Sequence, residues 1–301
     1  MRNEFANLML EMSLKDEDLI VLVGDISHGI LKPFAKKNPS KYYNVGICEP
    51  TIVNMAAGLS KVGLLPIVHT IAPFMIERCY EQIKLDFGYQ KLPVNFISIG
   101  GAFDYSKLGC SHHCYTDLSI LNHIENSNIF LPGSSKEFRI LFKMNYKNGA
   151  INYFKLSDFS HNYNFDKNKI SSGKGIKILS GTDVTLVTTG SILKNVIEAK
   201  KIVESKNISA EIIYYHTLKP FDKNIIFNSV KKTRKLISIE EHSHADGLYN
   251  LVLQSLANNL NFKSKQMAIN GFIRGYGTYK EMQKKAGLSI EDIVSSIEKI
   301  V

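Results

Sequence analysis

A series of short, unbroken apolar runs, most of them stopping on a glycine or a polar residue, limits this chain's fold more than any other feature. LIVLVGD (19–25), LLPIVHT (64–70), LPVNFISIGG (92–101), NIFLPG (128–133) and NYFKLS (152–157) form the first set. DVTLVTTG (183–190), SAEIIYYH (209–216) and KLISIEEH (235–242) form a second. Runs of this length without polar alternation read as strands buried on both faces. Between them lie segments of helical period, such as KEFRILFKMNYKN (136–148), SILKNVIEAKKIVESKN (191–207, with Ser191 as N-cap) and DKNIIFNSVKK (222–232). Buried strands alternating with amphipathic helices predict an α/β fold with two parallel-sheet, three-layer domains. In such sheets chemistry sits beyond the C-terminal strand ends, where Asp25, Glu49, Thr70 and Gly101 fall.

The polar stretch SHNYNFDKNKISSGKGIKI (160–178) lacks helical periodicity. It predicts a first domain over 1–160, a linker over 161–178 and a second domain over 179–301. Helices are expected at 2–14, 50–63, 74–89, 117–124, 248–259, 279–287 and 289–301. Apolar content of 44% and charged content of 22% suit a chain with a sizeable core. No apolar stretch is long enough for a membrane span. The opening residues lack a signal peptide's apolar core, so a cytoplasmic protein is expected. Cys48, Cys79, Cys110 and Cys114 are then reduced thiols. The net charge of +9 comes from scattered lysines without a nucleic-acid-binding motif, so no nucleic-acid partner is expected.

Glu49 is the residue hardest to explain by packing. KYYNVGI (41–47) reads as a strand, with Val45, Gly46, Ile47 and Cys48 as its buried apolar end. Glu49 follows directly, and Pro50 opens the next helix, which Gly63 stops. A carboxylate there either caps the helix or serves proton transfer in a dry pocket. On the 74–89 helix, Met75, Cys79, Ile83 and Phe87 share one apolar stripe, Arg78 and Gln82 lie one turn apart, and Phe74 and Tyr80 are aromatic candidates for core or site. CSHHC (110–114) packs four ligand types too closely to close a tetrahedron, so no metal site is expected. His28 and His69 stand at strand ends as substrate ligands or structural histidines. His242, His244 and Arg274 lie in the second domain, where Arg suits phosphate or carboxylate recognition.

Several ordered blocks together resemble the C-terminal half of a transketolase, in the form split between two polypeptides. They are VGDISH (23–28), KYYNVGICEPTIVNMAAGLSKVGLLPIVHT (41–70), FMIERCYEQIKLDFGYQKLPV (74–94), LGCSHHCYTDLSIL (108–121), GTDVTLVTTGSILKNVIEAKKI (181–202), and HTLKPFDKNII (216–226) with ISIEEH (237–242). The resemblance implies a pyrimidine-binding domain followed by a transketolase C-terminal domain. It implies thiamine diphosphate as cofactor, with Glu49 bonded to the aminopyrimidine and governing its imino tautomer. Phe74, Tyr80 and Ile47 fall at cofactor-contacting positions. His112 falls on a histidine that contacts substrate and moves a proton, and His28, His69 and Arg274 are further substrate candidates. Where the family has Asp, this chain has Leu108, and Cys110 replaces the usual Pro or Gln; both point away from ordinary pentose phosphates.

The family holds the cofactor's diphosphate and Mg²⁺ through a GDG motif followed by Asn, and this chain has none. The resemblance therefore implies a partner polypeptide that carries GDG…N, and a heterotetramer built on a homodimer contact. The expected reaction is transfer of a two-carbon ketol unit between sugars, most simply sugar phosphates. A 2-oxoacid dehydrogenase beta subunit, a deoxyxylulose-phosphate-synthase-like enzyme and a non-catalytic scaffold subunit are the alternatives.

Overall fold

The computed structural model describes residues 1–256 and 260–301. Two sheets, mostly parallel, organise the chain. The first contains β1 (Leu19–Val23), β2 (Tyr42–Asn44), β3 (Leu65–Ile71), β4 (Val94–Ile99), β5 (Ser127–Phe130) and β6 (Ile151–Leu156). The second contains β7 (Gly175–Leu179), β8 (Val184–Thr189), β9 (Ala210–Tyr215), β11 (Lys235–Ser243) and β12 (Lys263–Ile269). A three-residue strand, β10 (Thr217–Lys219), leaves the second half and pairs antiparallel with β5. The orders are β10-β5-β6-β4-β3-β1-β2 and β12-β11-β8-β9-β7. β7 is also antiparallel, to β9.

Sidedness follows from strand alternation. Val21 and Val23 face one layer with Phe5, Phe138, Phe142 and Phe154. Ile20 and Leu22 face the other with Ile52, Val53, Met75 and Phe87. Each such large apolar side chain contributes about 1.5–3 kcal/mol when fully buried, which is why the central strands tolerate no polar alternation. The stripe Met75, Cys79, Ile83 and Phe87 is fully buried. Its four-residue spacing would drift about 40° per step on an ordinary helix. The backbone absorbs this with wide turns over Pro73–Glu77 and Ile83–Tyr89, flanking a short α-helical turn at Tyr80–Gln82.

Several expectations need correction. The strand at 41–47 ends at Asn44, and Val45–Cys48 form a turn rather than a buried strand end. Ile47 is 68% exposed and Cys48 is also exposed, because β2 is the sheet edge and Gly46 turns the chain at φ +84°. Ser191 does not cap the helix Leu193–Glu204; its hydroxyl donates to Glu241 at 3.2 Å. The helix His28–Lys37, with Pro33 inside it, and the strands β7, β10 and β12 stand where no element was expected. The helix expected over 248–259 spans Leu248–Leu256, and 257–259 lie outside the described residues.

Candidate active site

Glu49 is the first residue of the helix Glu49–Lys61 and only 1% exposed. Pro50 behind it suits a first turn, where its missing N–H costs nothing. The helix N-terminus favours the carboxylate's charge. Thr70, near the end of β3, donates to Oε1 at 3.4 Å, and Arg78 Nη1 donates to Oε2 at 2.6 Å. Gly24, following β1, leaves the room Thr70 needs: a Cβ there would lie 2.9 Å from Thr70 Oγ1. Glu49 therefore fills both roles its position suggested. It opens the helix, and it is held rigid and nearly dry by two donors.

The Arg78 guanidinium also lies over the Phe74 ring, 4.3 Å from its centroid. Phe74 meets the His112 ring edge-on at 5.1 Å. Glu49, Arg78, Phe74 and His112 thus form a continuous line of contacts along one rim of the first sheet. His112 is half-buried, with Nδ1 3.0 Å from the Ser111 hydroxyl. Burial pushes its pKa below the usual histidine range, which favours a neutral ring able to accept a proton. Its loop is shaped by Gly109, at φ +78°, against which the Tyr276 ring packs. The second half of the chain therefore buttresses the His112 loop, and the exposed Arg274 rides on the same buttressing segment.

The other candidates separate. Tyr80 is half-buried and packs against the apolar layer of Met75 and Phe87. His69 is fully buried, with Nδ1 2.7 Å from the Ile97 carbonyl and Nε2 2.9 Å from the Ser27 hydroxyl. Burial lowers its pKa to about 4, so the ring is neutral: one nitrogen donates to the carbonyl and the other accepts. His69 has no nitrogen left for a substrate and instead fixes the loop after β1. His28 is exposed, with Nε2 3.0 Å from Asp25. Asp25 itself is tied to Asn44, whose Nδ2 donates to Oδ1 at 3.2 Å. His242 is buried and accepts the Leu118 N–H at 3.2 Å, joining the two halves of the chain. His244 is exposed. His113 is buried with both ring nitrogens unpartnered among the described residues.

Sequence reasoning missed Arg78 as the partner of Glu49. It also missed a buried network behind the site. Asp117 accepts from Lys155 Nζ at 2.9 Å and from the Tyr153 hydroxyl at 2.6 Å. Full burial works against the Asp117 charge, yet Lys155 and His242 beside it hold the carboxyl below its usual range. A charged residue opening a helix beside a second charge inside an apolar strand was the only available signal. Among the described residues no group of three or more His, Cys, Asp or Glu could hold a metal ion.

Comparison with known proteins agrees with this layout. Residues 1–154 match the family model for the transketolase pyrimidine binding domain. Residues 173–293 match the model for the transketolase C-terminal domain. One of the two named subunits of the apulose-4-phosphate transketolase of Phocaeicola vulgatus is 29% identical over 261 residues, covering 86% of this chain and 84% of the relative. The 1-deoxy-D-xylulose-5-phosphate synthase of Halothermothrix orenii is 28% identical, covering 99% of this chain but 47% of the relative. Among solved structures, a split gene transketolase in an inactive beta4 tetramer superposes with a TM-score of 0.89 at 27% identity, covering 99% of this chain and 97% of that one.

Proposed function

Because this chain belongs to the transketolase family, we propose that it is one subunit of a two-chain enzyme that moves a two-carbon ketol unit between sugars and works only with a partner polypeptide. The observation that carries this is the buried Glu49 carboxylate at a helix start, in line with Phe74 and His112. These residues fit an aminopyrimidine: a fixed carboxylate for a ring nitrogen, an aromatic face in Phe74, and an exposed apolar side chain in Ile47 for the other side. When bound, thiamine diphosphate supplies the carbon that takes up the two-carbon unit. Glu49 holds a proton at that ring nitrogen. Thr70 and Arg78 keep its carboxylate aimed. His112, neutral and half-buried, handles the proton of the sugar's hydroxyl or carbonyl oxygen. His28, exposed beyond β1, and Arg274 are the groups we assign to substrate, and Tyr80 supports the pocket from the packed side of its helix.

Residues 1–160 would supply the pyrimidine face and 179–301 the buttress, with 161–178 between them. The diphosphate and Mg²⁺ belong to the partner on this reading, since the nearest acid, Asp25, is already bonded to Asn44 and His28. The Phocaeicola relative is named as a subunit, which supports a partner, and the beta4 neighbour supports a self-contact on which a heterotetramer can be built. The apulose-4-phosphate relative also supports a modified sugar phosphate as substrate. Leu108, exposed and apolar in the His112 loop, agrees with that choice. Free thiols at all four cysteines agree with a reducing cytoplasm.

Calorimetry with thiamine diphosphate and Mg²⁺ tests the reading, first on this chain and then on its mixture with a GDG…N partner. Binding only in the mixture is expected. Binding by this chain alone would mean it carries the diphosphate site, and no binding in either sample would end the thiamine reading. The synthase relative favours one second reading, a decarboxylating enzyme; carbon dioxide release from pyruvate by the mixture would select it.

A further inference from the structure

A cleft of about 740 Å³ opens between the two halves of the chain, bounded by the His112 loop on one side and the helices Leu193–Glu204 and Tyr279–Lys285 on the other. Its size falls within the usual range for small-molecule sites. Its chemistry is divided. Lys107 from the first half and Lys194 and Lys280 from the second line it. None of the three has a carboxylate partner among the described residues. The one acid in the lining, Asp104, is occupied: it accepts from the Ser157 hydroxyl at 2.7 Å and from the Asp158 N–H at 3.1 Å. Burial also pushes its pKa up to about 7, so it carries less than a full negative charge near neutrality. The cleft is therefore cationic.

Its floor is apolar and stiff. Phe159, 39% exposed, stacks on Tyr279 with ring centroids 3.8 Å apart and planes 19° apart. The Tyr279 hydroxyl is pinned by both Glu241 oxygens, at 2.5 and 2.7 Å. Leu108, 49% exposed, lines the cleft as well. A fixed aromatic platform ringed by unpaired cations is preorganised for a flat molecule bearing negative charge.

We propose that this cleft binds a phosphorylated small molecule with a flat apolar body, its phosphates meeting Lys107, Lys194 and Lys280 and its body lying on Phe159 and Leu108. The site is separate from the Glu49 line. It is coupled to that line through one loop, which carries Lys107, Leu108 and His112. A ligand bridging Lys107 to Lys194 and Lys280 ties the His112 loop to the second half, so its binding would set how firmly His112 is held. The assignment does not depend on the reaction, because its readout is binding.

The test is calorimetric titration of the full chain with ADP, a probe with two phosphates on a flat ring system, and separately with inorganic pyrophosphate. The same titrations are run on Lys194→Ala/Lys280→Ala and on Phe159→Ala. ADP should bind with a dissociation constant below about 1 mM, and more tightly than pyrophosphate. The double lysine variant should weaken both probes at least about tenfold, the equivalent of one lost charge-assisted contact. Phe159→Ala should weaken ADP alone. Equal affinity in the parent and the double variant, or no heat from the parent with either probe, would overturn the proposal. So would pyrophosphate matching ADP, or thiamine diphosphate in the cell displacing ADP, since the probe would then be reporting the cofactor's position.

Discussion

Arg78 closes on Glu49 at 2.6 Å while its guanidinium carbon rests 4.3 Å from the centre of the Phe74 ring. One cation thus engages both groups that the pyrimidine would need. Its planar fork allows this, donating within its plane and stacking across it; a lysine ammonium can do only the first.

Removal of that cation should be felt in stability. In Arg78→Ala the Glu49 carboxylate keeps only the Thr70 hydroxyl at 3.4 Å. A loss of about 1–2 kcal/mol is expected, the low end for an orphaned charge because Arg78 is partly exposed. Arg78→Lys should recover part of it. Urea melts of the three proteins decide the matter, and an unchanged midpoint in Arg78→Ala would show that the pair contributes nothing.

Glu49→Gln keeps the shape of the side chain and its place at the helix start, so the fold should hold. Turnover by the assembled enzyme should fall by about 10²- to 10⁴-fold, the range for loss of a positioned proton-transfer group. Full activity in the variant complex would remove Glu49 from the chemistry and leave it as a cap.

A second buried carboxylate joins the two halves of the chain. Glu137 accepts from the Tyr214 hydroxyl at 2.7 Å, lies 2.5 Å from His161 Nε2, and takes the Gly133 N–H at 2.9 Å. These bonds hold it below the usual carboxylate range despite its burial. Tyr214→Phe should cost about 1–3 kcal/mol, since it strips a donor from a charge that water cannot reach. Combining it with His161→Ala should cost less than the two single losses added together, because the groups share one acceptor. Strict additivity would mean that the three do not act as a unit.

Acid should weaken the fold through its buried histidines. His216 is fully buried, with Nε2 unpartnered among the described residues, and burial lowers its pKa from 6.5 to about 4. Between those values the unfolded chain takes up a proton that the folded chain refuses. Its contribution is intact above about pH 6.5 and is lost as the pH falls toward 4, at about 1.4 kcal/mol per unit. His216→Asn should flatten the acid limb of a stability-versus-pH curve by about that slope, and parallel curves would refute the assignment.

The centre of the fold was legible and its edges were not. β1, β3, β4, β8 and β9 are covered on both faces, so their residues had to be apolar and the strands could be read directly. β12, KSKQMAI, is an edge strand whose first three residues are exposed; it needs one partner and leaves no apolar run. β10 exists only because β5 offers an open edge, and that pairing joins residues far apart in the chain. Glu49 was legible because a carboxylate at a strand–helix seam has few packing explanations. Ile47 was misjudged because four apolar letters look the same in a buried strand and in an exposed turn. Arg78 could not be assigned, because its direction depends on the wide turns of its helix.

β10 also has a consequence for synthesis. The first sheet is complete only when residues 217–219 lie against β5. At about 5–20 residues per second, the ribosome needs several seconds more to deliver them after β6 has emerged. For that interval the nascent first half presents an open β5 edge, the kind of surface that recruits other strands. Timing of translation therefore enters the protein's yield at one short strand, and slow codons between β6 and β10 would lengthen the exposure.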